Sequence, residues 1–231
     1  MTDAFIDIPG VRNFRDAGGI GSLRRGVLYR SGSLHTLTEE GARKLKALGL
    51  RTVVDLRSPF EQEIWPDQRH GLDHETLSVP TLPANREDVD LPWPEDQADL
   101  YLFMPETAGR SLAAVVRHLA TPQALPVVVH CAVGKDRTGL TIAVLQSLLG
   151  ASDADITADY LLSNVGLGLD KGPAPYIDET GTERVSRPVS AELIASSLGW
   201  IRTHHGTVPD YLRSHGVTEA ELAALHANLS V

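Results

Sequence analysis

The stretch from Val127 to Gly139 constrains this chain more than any other: Val-Val-Val-His-Cys-Ala-Val-Gly-Lys-Asp-Arg-Thr-Gly. A wholly apolar β-branched run between Pro126 and His130 suits a strand buried in a parallel sheet. From Thr138 to Leu149 the apolar residues Leu140, Ala143, Val144 and Leu148 mark one face of a helix that stops at Gly150. A buried strand that turns directly into an amphipathic helix calls for an α/β architecture. We therefore expect one continuous α/β domain over residues 1–231.

The turn between strand and helix carries chemistry. So short a loop, closing on a helix N-terminus, can aim the amides of Ala132, Val133, Gly134 and Lys135 at one point. Such a nest binds a tetrahedral anion, and the helix dipole adds to the attraction. Gly134 permits the backbone angles this needs. The same field favours a thiolate at Cys131, the nucleophilic form of cysteine. Arg137 can chelate two phosphate oxygens through its planar fork. Thr138 can donate to the sulfur, and Asp136 can protonate a leaving alkoxide and then activate water. The bland alternative is an inert buried cysteine. It would leave Lys135, Asp136 and Arg137 packed beside an apolar site at unexplained cost.

Elsewhere the pattern is plainer. Val27 to Tyr29 and Thr52 to Val54 read as strands, the latter running into Asp55-Leu56-Arg57. A helix is expected over 36–48, opened by a Thr36/Glu39 capping box, and another over 97–120. The Pro-, Asp- and Glu-rich stretch 80–96 reads as a loop. Residues 166–188, rich in Gly and Pro, read as a mobile excursion. Helices follow near 190–204, 208–214 and 219–229, the last with a Thr218/Glu221 capping box.

Charge and composition exclude several classes. A net charge of −9 argues against a nucleic-acid binder. The N-terminal residues lack a basic start and an apolar run, and no stretch approaches a membrane span. One cysteine allows neither an internal disulfide nor a multi-cysteine metal site, which fits a reducing cytoplasm. A nucleotide loop is excluded because Asp136 follows Gly134-Lys135 where Ser or Thr is needed, and position 129 is Val. A non-catalytic phosphate-binding module has no need of both Cys131 and Arg137. His204 and His205 have no carboxylate cluster beside them in sequence, so no metal site is expected there.

His-Cys-x-x-Gly-Lys-Asp-Arg-Thr-Gly resembles the signature of protein tyrosine phosphatases, and more narrowly of their bacterial atypical, mycobacterial PtpB-like group. Asn13-Phe14-Arg15-Asp16, Tyr29-Arg30-Ser31, Asp55-Leu56-Arg57-Ser58, Asp159 to Asn164 and Gly206 to Leu212 match that group in order. The resemblance implies a three-layer fold with a central, mainly parallel sheet flanked by helices. It implies a cysteinyl-phosphate intermediate, no cofactor and no metal. Its implied substrates are phosphotyrosine, with phosphoserine, phosphothreonine and phosphoinositides accepted by some relatives. By position, Cys131 is the nucleophile, Arg137 the phosphate clamp and Asp136 the general acid. Lys135 matches a lysine linked to broad substrate range, and Arg15 and Asp16 match a pair close to the active site. Two rival acids remain open: Asp67 in Trp65-Pro66-Asp67, and Asp96 after Trp93-Pro94-Glu95. His130 reads as structural, bonded to backbone beneath the loop. By analogy, 166–188 is a lid over the site.

Overall fold

Alternation along the Val127–His130 strand decides which layer lies on which side of the sheet. All four residues are buried. Val127 and Val129 face a large core with Leu28, Val54, Leu140 and Val144. Val128 faces a smaller one with Tyr29, Val53, Ala42 and Leu45. Each valine so buried contributes roughly 1.5–3 kcal/mol relative to exposure. The computed structural model describes residues 4–178 and 180–231. Met1 to Asp3, at the start of the expected domain, and Glu179, inside the expected 166–188 excursion, lie outside the described residues.

In chain order the elements are β1 (Arg15–Asp16), β2 (Leu28–Ser31), α1 (Glu39–Ala47), β3 (Thr52–Asp55), α2 (Pro59–Ile64) and β4 (Glu75–Ser78). Then come α3 (Gln97–Thr107), α4 (Gly109–Leu119), β5 (Val127–His130), α5 (Asp136–Leu148) and α6 (Asp153–Gly166). The chain closes with β6 (Ala174–Ile177), β7 (Glu183–Ser186), α7 (Ala191–His205), α8 (Val208–Ser214) and α9 (Glu219–Leu229). The main sheet has the order β1-β2-β5-β3-β4, and only the β1 pairing is antiparallel. Helix α1 covers one face, and α3 to α9 supply residues to the core on the other. This is the three-layer α/β arrangement with a mainly parallel sheet.

Three expectations change in detail. Helix α1 begins at Glu39, capped by Thr38, whose hydroxyl accepts from Gly41 N at 3.1 Å. Thr36 lies two residues before the cap, and its hydroxyl donates to Gly10 O at 2.7 Å. The expected 97–120 helix is two helices that meet at Ala108. Pro105 cannot bond the carbonyl four residues back, and the Ser197 hydroxyl takes that Tyr101 oxygen instead. Gly109 then fits where an added Cβ would lie 2.0 Å from His215 Nε2.

The 166–188 stretch is not without structure. Its strands β6 and β7 form an antiparallel ribbon with Ala174 opposite Ser186 and Ile177 opposite Glu183. Pro175 and the flanking glycines hid the alternation that marks a strand.

Candidate active site

Strands β2, β5 and β3 end together, with Ser31 and Asp55 both in register with His130. Open α/β sheets bind ligands beyond such strand ends. There the chain leaves β5 at Cys131 and enters α5 at Asp136. Gly134 turns it with φ +71°, and a Cβ at that position would lie 2.2 Å from Ser31 O. The loop carbonyls are tied outward. Gly134 O accepts from Asn13 Nδ2 at 2.9 Å and Arg30 Nη2 at 3.1 Å, and Ala132 O accepts from Ser33 N at 3.0 Å. The amides of Ala132, Val133, Gly134 and Lys135 donate to no carbonyl among the described residues. Lys135, at the cap position of α5, offers its first turn no side-chain acceptor. Unspent amides around one point on a helix axis form an anion seat.

Cys131 lies at the base of this loop, 2% exposed. Burial pushes its thiol pKa up, but the Arg137 charge and the hydroxyl and amide of Thr138 outweigh burial and hold it below the ordinary thiol range. Asp136 opposes that fall. The Thr138 hydroxyl is buried with no nitrogen or oxygen partner among the described residues, leaving the sulfur as the group it serves. Arg137 is held in a two-pronged pair, Nη1 to Glu61 Oε2 at 2.6 Å and Nη2 to Glu61 Oε1 at 2.7 Å. Burial alone would lower the Arg137 pKa; Glu61 and the sulfur raise it above its ordinary value.

Glu61 is the functional residue that the sequence reading missed. It completes a capping box at the start of α2, with Ser58 N donating to Glu61 Oε2 at 2.9 Å. Its carboxyl stays ionised despite burial because Arg137 and Ser58 hold it low. Ser-Pro-Phe-Glu after β3 spells that box, so the helix start was legible. The partnership with Arg137 was not.

A pocket of about 720 Å³ opens over the loop. Ala132, Val133, Asp136 and Arg137 line its floor, and Trp65, Trp93 and Phe103 are among its aromatic walls. Leu82 to Ala84 and Pro175 to Ile177 also line it, so parts of the 80–96 loop and of the β6–β7 ribbon face the site.

The rival acids sit away from the pocket lining. Asp67 lies beneath the loop, accepting from Leu34 N at 3.0 Å and Arg57 Nη2 at 2.9 Å, with Oδ2 2.9 Å from His130 Nε2. Burial would raise its pKa, but His130 and Arg57 hold it down. Asp96 caps α3 through Asp99 N at 2.9 Å. Neither lines the pocket, whereas Asp136 does. Tyr101 Oη donates to Asp136 Oδ1 at 2.7 Å, and the Tyr160 hydroxyl donates in turn to Tyr101. His130 is wholly buried, its Nδ1 3.2 Å from Cys131 O, as a structural residue beneath the loop.

A model of the tyrosine phosphatase family matches residues 6–231. The triple specificity protein phosphatase PtpB of Mycobacterium tuberculosis is 30% identical, across 94% of this chain and 96% of its own length. The chain belongs to the tyrosine phosphatase family. A tyrosine-protein phosphatase of Nostoc commune is 27% identical over 88% of this chain and 74% of its own. Among solved structures, P. aeruginosa TpbA aligns at a TM-score of 0.44 and 19% identity, covering 85% of this chain and 91% of its own.

In this tyrosine phosphatase two expected substrate contacts lie away from the pocket. Arg15 is fully buried, donating to Asp159 Oδ1 at 3.1 Å and Asn13 Oδ1 at 2.5 Å. Burial, and then the neighbouring Arg30 charge, lower its pKa to about 9 against the pull of Asp159. Asp16 accepts from Gly18 N and Gly26 N, each at 2.8 Å, and braces the turn before β2. The family resemblance suggested them as contacts; in the fold Arg15 is spent on Asp159 and Asn13, and Asp16 on the turn before β2. Arg15 thus supports Asn13, which holds the loop.

Lys135 also faces away from the pocket floor. Its Nζ donates to Arg187 O at 2.9 Å and Ser186 Oγ at 3.3 Å, and lies 3.7 Å from Asp136 Oδ2. It fastens the end of the β6–β7 ribbon to the phosphate loop. Asp55, Asp67 and His130 form the one metal-ligand type cluster among the described residues. Arg57 Nη2 already reaches Asp55 Oδ2 at 2.7 Å and Asp67 Oδ1 at 2.9 Å, so a guanidinium takes the cation's place. His204 stacks on Trp200 at 4.2 Å.

Proposed function

We propose that this phosphatase hydrolyses phosphate monoesters by two displacements at Cys131, with phosphotyrosine as its principal substrate. The observation that carries the reading is a thiol held below its ordinary range beneath unspent amides, with Arg137 gripped by Glu61 beside it. Substrate phosphate sits on the amides of residues 132–137, and Arg137 fixes phosphorus in line with the sulfur. The thiolate attacks phosphorus, the bond to the leaving oxygen breaks, and Asp136 gives that oxygen its proton. Water then attacks the phosphorus of the cysteinyl phosphate. Asp136 takes the water proton, the sulfur–phosphorus bond breaks, and the Thr138 hydroxyl stabilises the departing thiolate.

Trp65, Trp93 and Phe103 suit an aryl ester, whose leaving group also needs least protonation. The triple specificity of PtpB favours a secondary range over phosphoserine, phosphothreonine and phosphoinositides. We read residues 1–231 as one phosphatase domain, and 166–188 as the cover of the site, its ribbon forming one pocket wall. A lone free nucleophilic cysteine favours a reducing cytoplasm. Among the described residues no helix is long and apolar enough to cross a membrane.

The test is a turnover panel of phosphotyrosine, phosphoserine and phosphothreonine peptides and phosphoinositides, with wild type and Cys131→Ser. Phosphotyrosine should be fastest, and Cys131→Ser should lose about 10⁴-fold or more. Turnover retained by Cys131→Ser would end the cysteine mechanism.

A further inference from the structure

We propose that Arg12 reads a second anionic group on the substrate, selecting phosphotyrosine segments with an acidic residue beside the phosphotyrosine. The proposal rests on the phosphatase reading above. The charged groups lining the pocket are Arg12, Glu61, Asp136 and Arg137, with His35 beside them. Four of these five have partners. Glu61 and Arg137 hold each other, Asp136 accepts from Tyr101, and His35 Nδ1 lies 2.6 Å from Ser33 Oγ. Arg12 makes no side-chain hydrogen bond or ion pair among the described residues, although the chain carries a net charge of −9.

Arg12 is also anchored beside the loop that binds the phosphate. Its carbonyl accepts from Gly32 N at 2.9 Å. A Cβ on Gly32 would meet Ala132 O at 3.3 Å, Arg12 O at 3.4 Å and Val133 C at 3.4 Å, so the three backbones converge there. The other cations nearby are committed. Lys135 is spent on the ribbon, and Arg137 on Glu61 and the reacting phosphate. Burial, then Arg57, with Asp67 opposing and Arg12 contributing, holds His35 below its ordinary range, so it is neutral near pH 7. Arg12 is therefore the positive charge left to meet a carboxylate one residue from the seated phosphotyrosine. The aromatic walls favour an aryl phosphate on a peptide over a lipid headgroup.

The experiment compares kcat/KM on matched phosphotyrosine peptides flanked by Glu or by Gln, at low and high salt. Wild type should prefer the Glu peptides by about two- to fivefold, the range of an exposed ion pair, through KM. That preference should shrink as salt rises. Arg12→Ala should erase it, Arg12→Lys should keep most of it, and Arg12→Glu should reverse it. A preference that survives in Arg12→Ala, or none in wild type, overturns the proposal. So does a loss confined to a soluble short-chain phosphatidylinositol phosphate, which would assign Arg12 to lipid headgroups. Failure of wild type to hydrolyse either peptide would instead overturn the phosphatase reading beneath it.

Discussion

The floor and the wall of the pocket are built differently. Two buried charge networks back the floor. Behind the loop, Arg15 and Arg30 share Asp159, with Arg30 Nη1 donating to Asp159 Oδ2 at 2.7 Å. Beneath it, Arg57 joins Asp55 and Asp67, and Asp67 meets His130. Removing one partner of such a pair costs about 3–5 kcal/mol, so these networks resist rearrangement. The β6–β7 side of the wall exposes Tyr176 at 43% and Ile177 at 56%, far from core burial. Its return to the body rests on Lys135 and on the paired bonds of Asn164 with Val189, at 2.9 and 2.8 Å. The contrast teaches a division of labour. Donors that stabilise a transition state must be fixed beforehand, because reorganising them during reaction costs rate. Segments that admit and choose substrates come from the less stable end of a structure.

Three substitutions sharpen or break that division, beginning with the largest effect. Asp136→Asn should slow kcat about 10²-fold or more on alkyl phosphates, and much less on an activated aryl phosphate. The acid limb of its kcat/KM profile should move to lower pH, since that limb follows Cys131 and the Asp136 charge that holds the thiol up is gone. The thiol pKa is depressed in the folded protein, so the thiolate forms as pH rises through a value below the ordinary thiol range, and activity rises with it. Equal losses on both leaving groups would remove Asp136 as the acid.

Glu61→Gln keeps a side chain able to close the capping box but gives up the charge and one of two acceptors for Arg137. We expect a loss of about ten- to a hundredfold in kcat/KM for every phosphate ester, together with a lower melting temperature, because Arg137 loses its buried counter-charge. A loss confined to large substrates would place Glu61 with the wall instead of the floor.

Lys135→Met should have the smallest effect on chemistry. Releasing the ribbon should raise KM for phosphopeptides a few-fold and speed amide exchange across Ala174–Ile177 and Glu183–Ser186. A small aryl phosphate should lose less than the peptide does. A larger loss on the small ester, with unchanged exchange, would return Lys135 to the phosphate seat.

Much of the floor was legible before any fold was known. Cys131, Gly134 and Arg137 sit in one short stretch whose strand, turn and helix can be read from local pattern. Asp136 could be named there as a candidate acid; it lines the pocket, and Asp67 and Asp96 do not. Arg15 and Asp16 were expected at the site because the family resemblance placed them there. Only the fold commits Arg15 to Asp159 and Asp16 to the turn before β2.

The sequence by itself determined the α/β layering and the reactive loop, because hydrophobic period, turn glycines and helix starts are properties of neighbouring residues. Tertiary structure alone decided that Glu61 grips Arg137, that Asp67 serves His130, and that Lys135 holds a ribbon. Each of those pairs joins segments far apart in the chain. Sheet order brings them together, and no local pattern encodes that meeting.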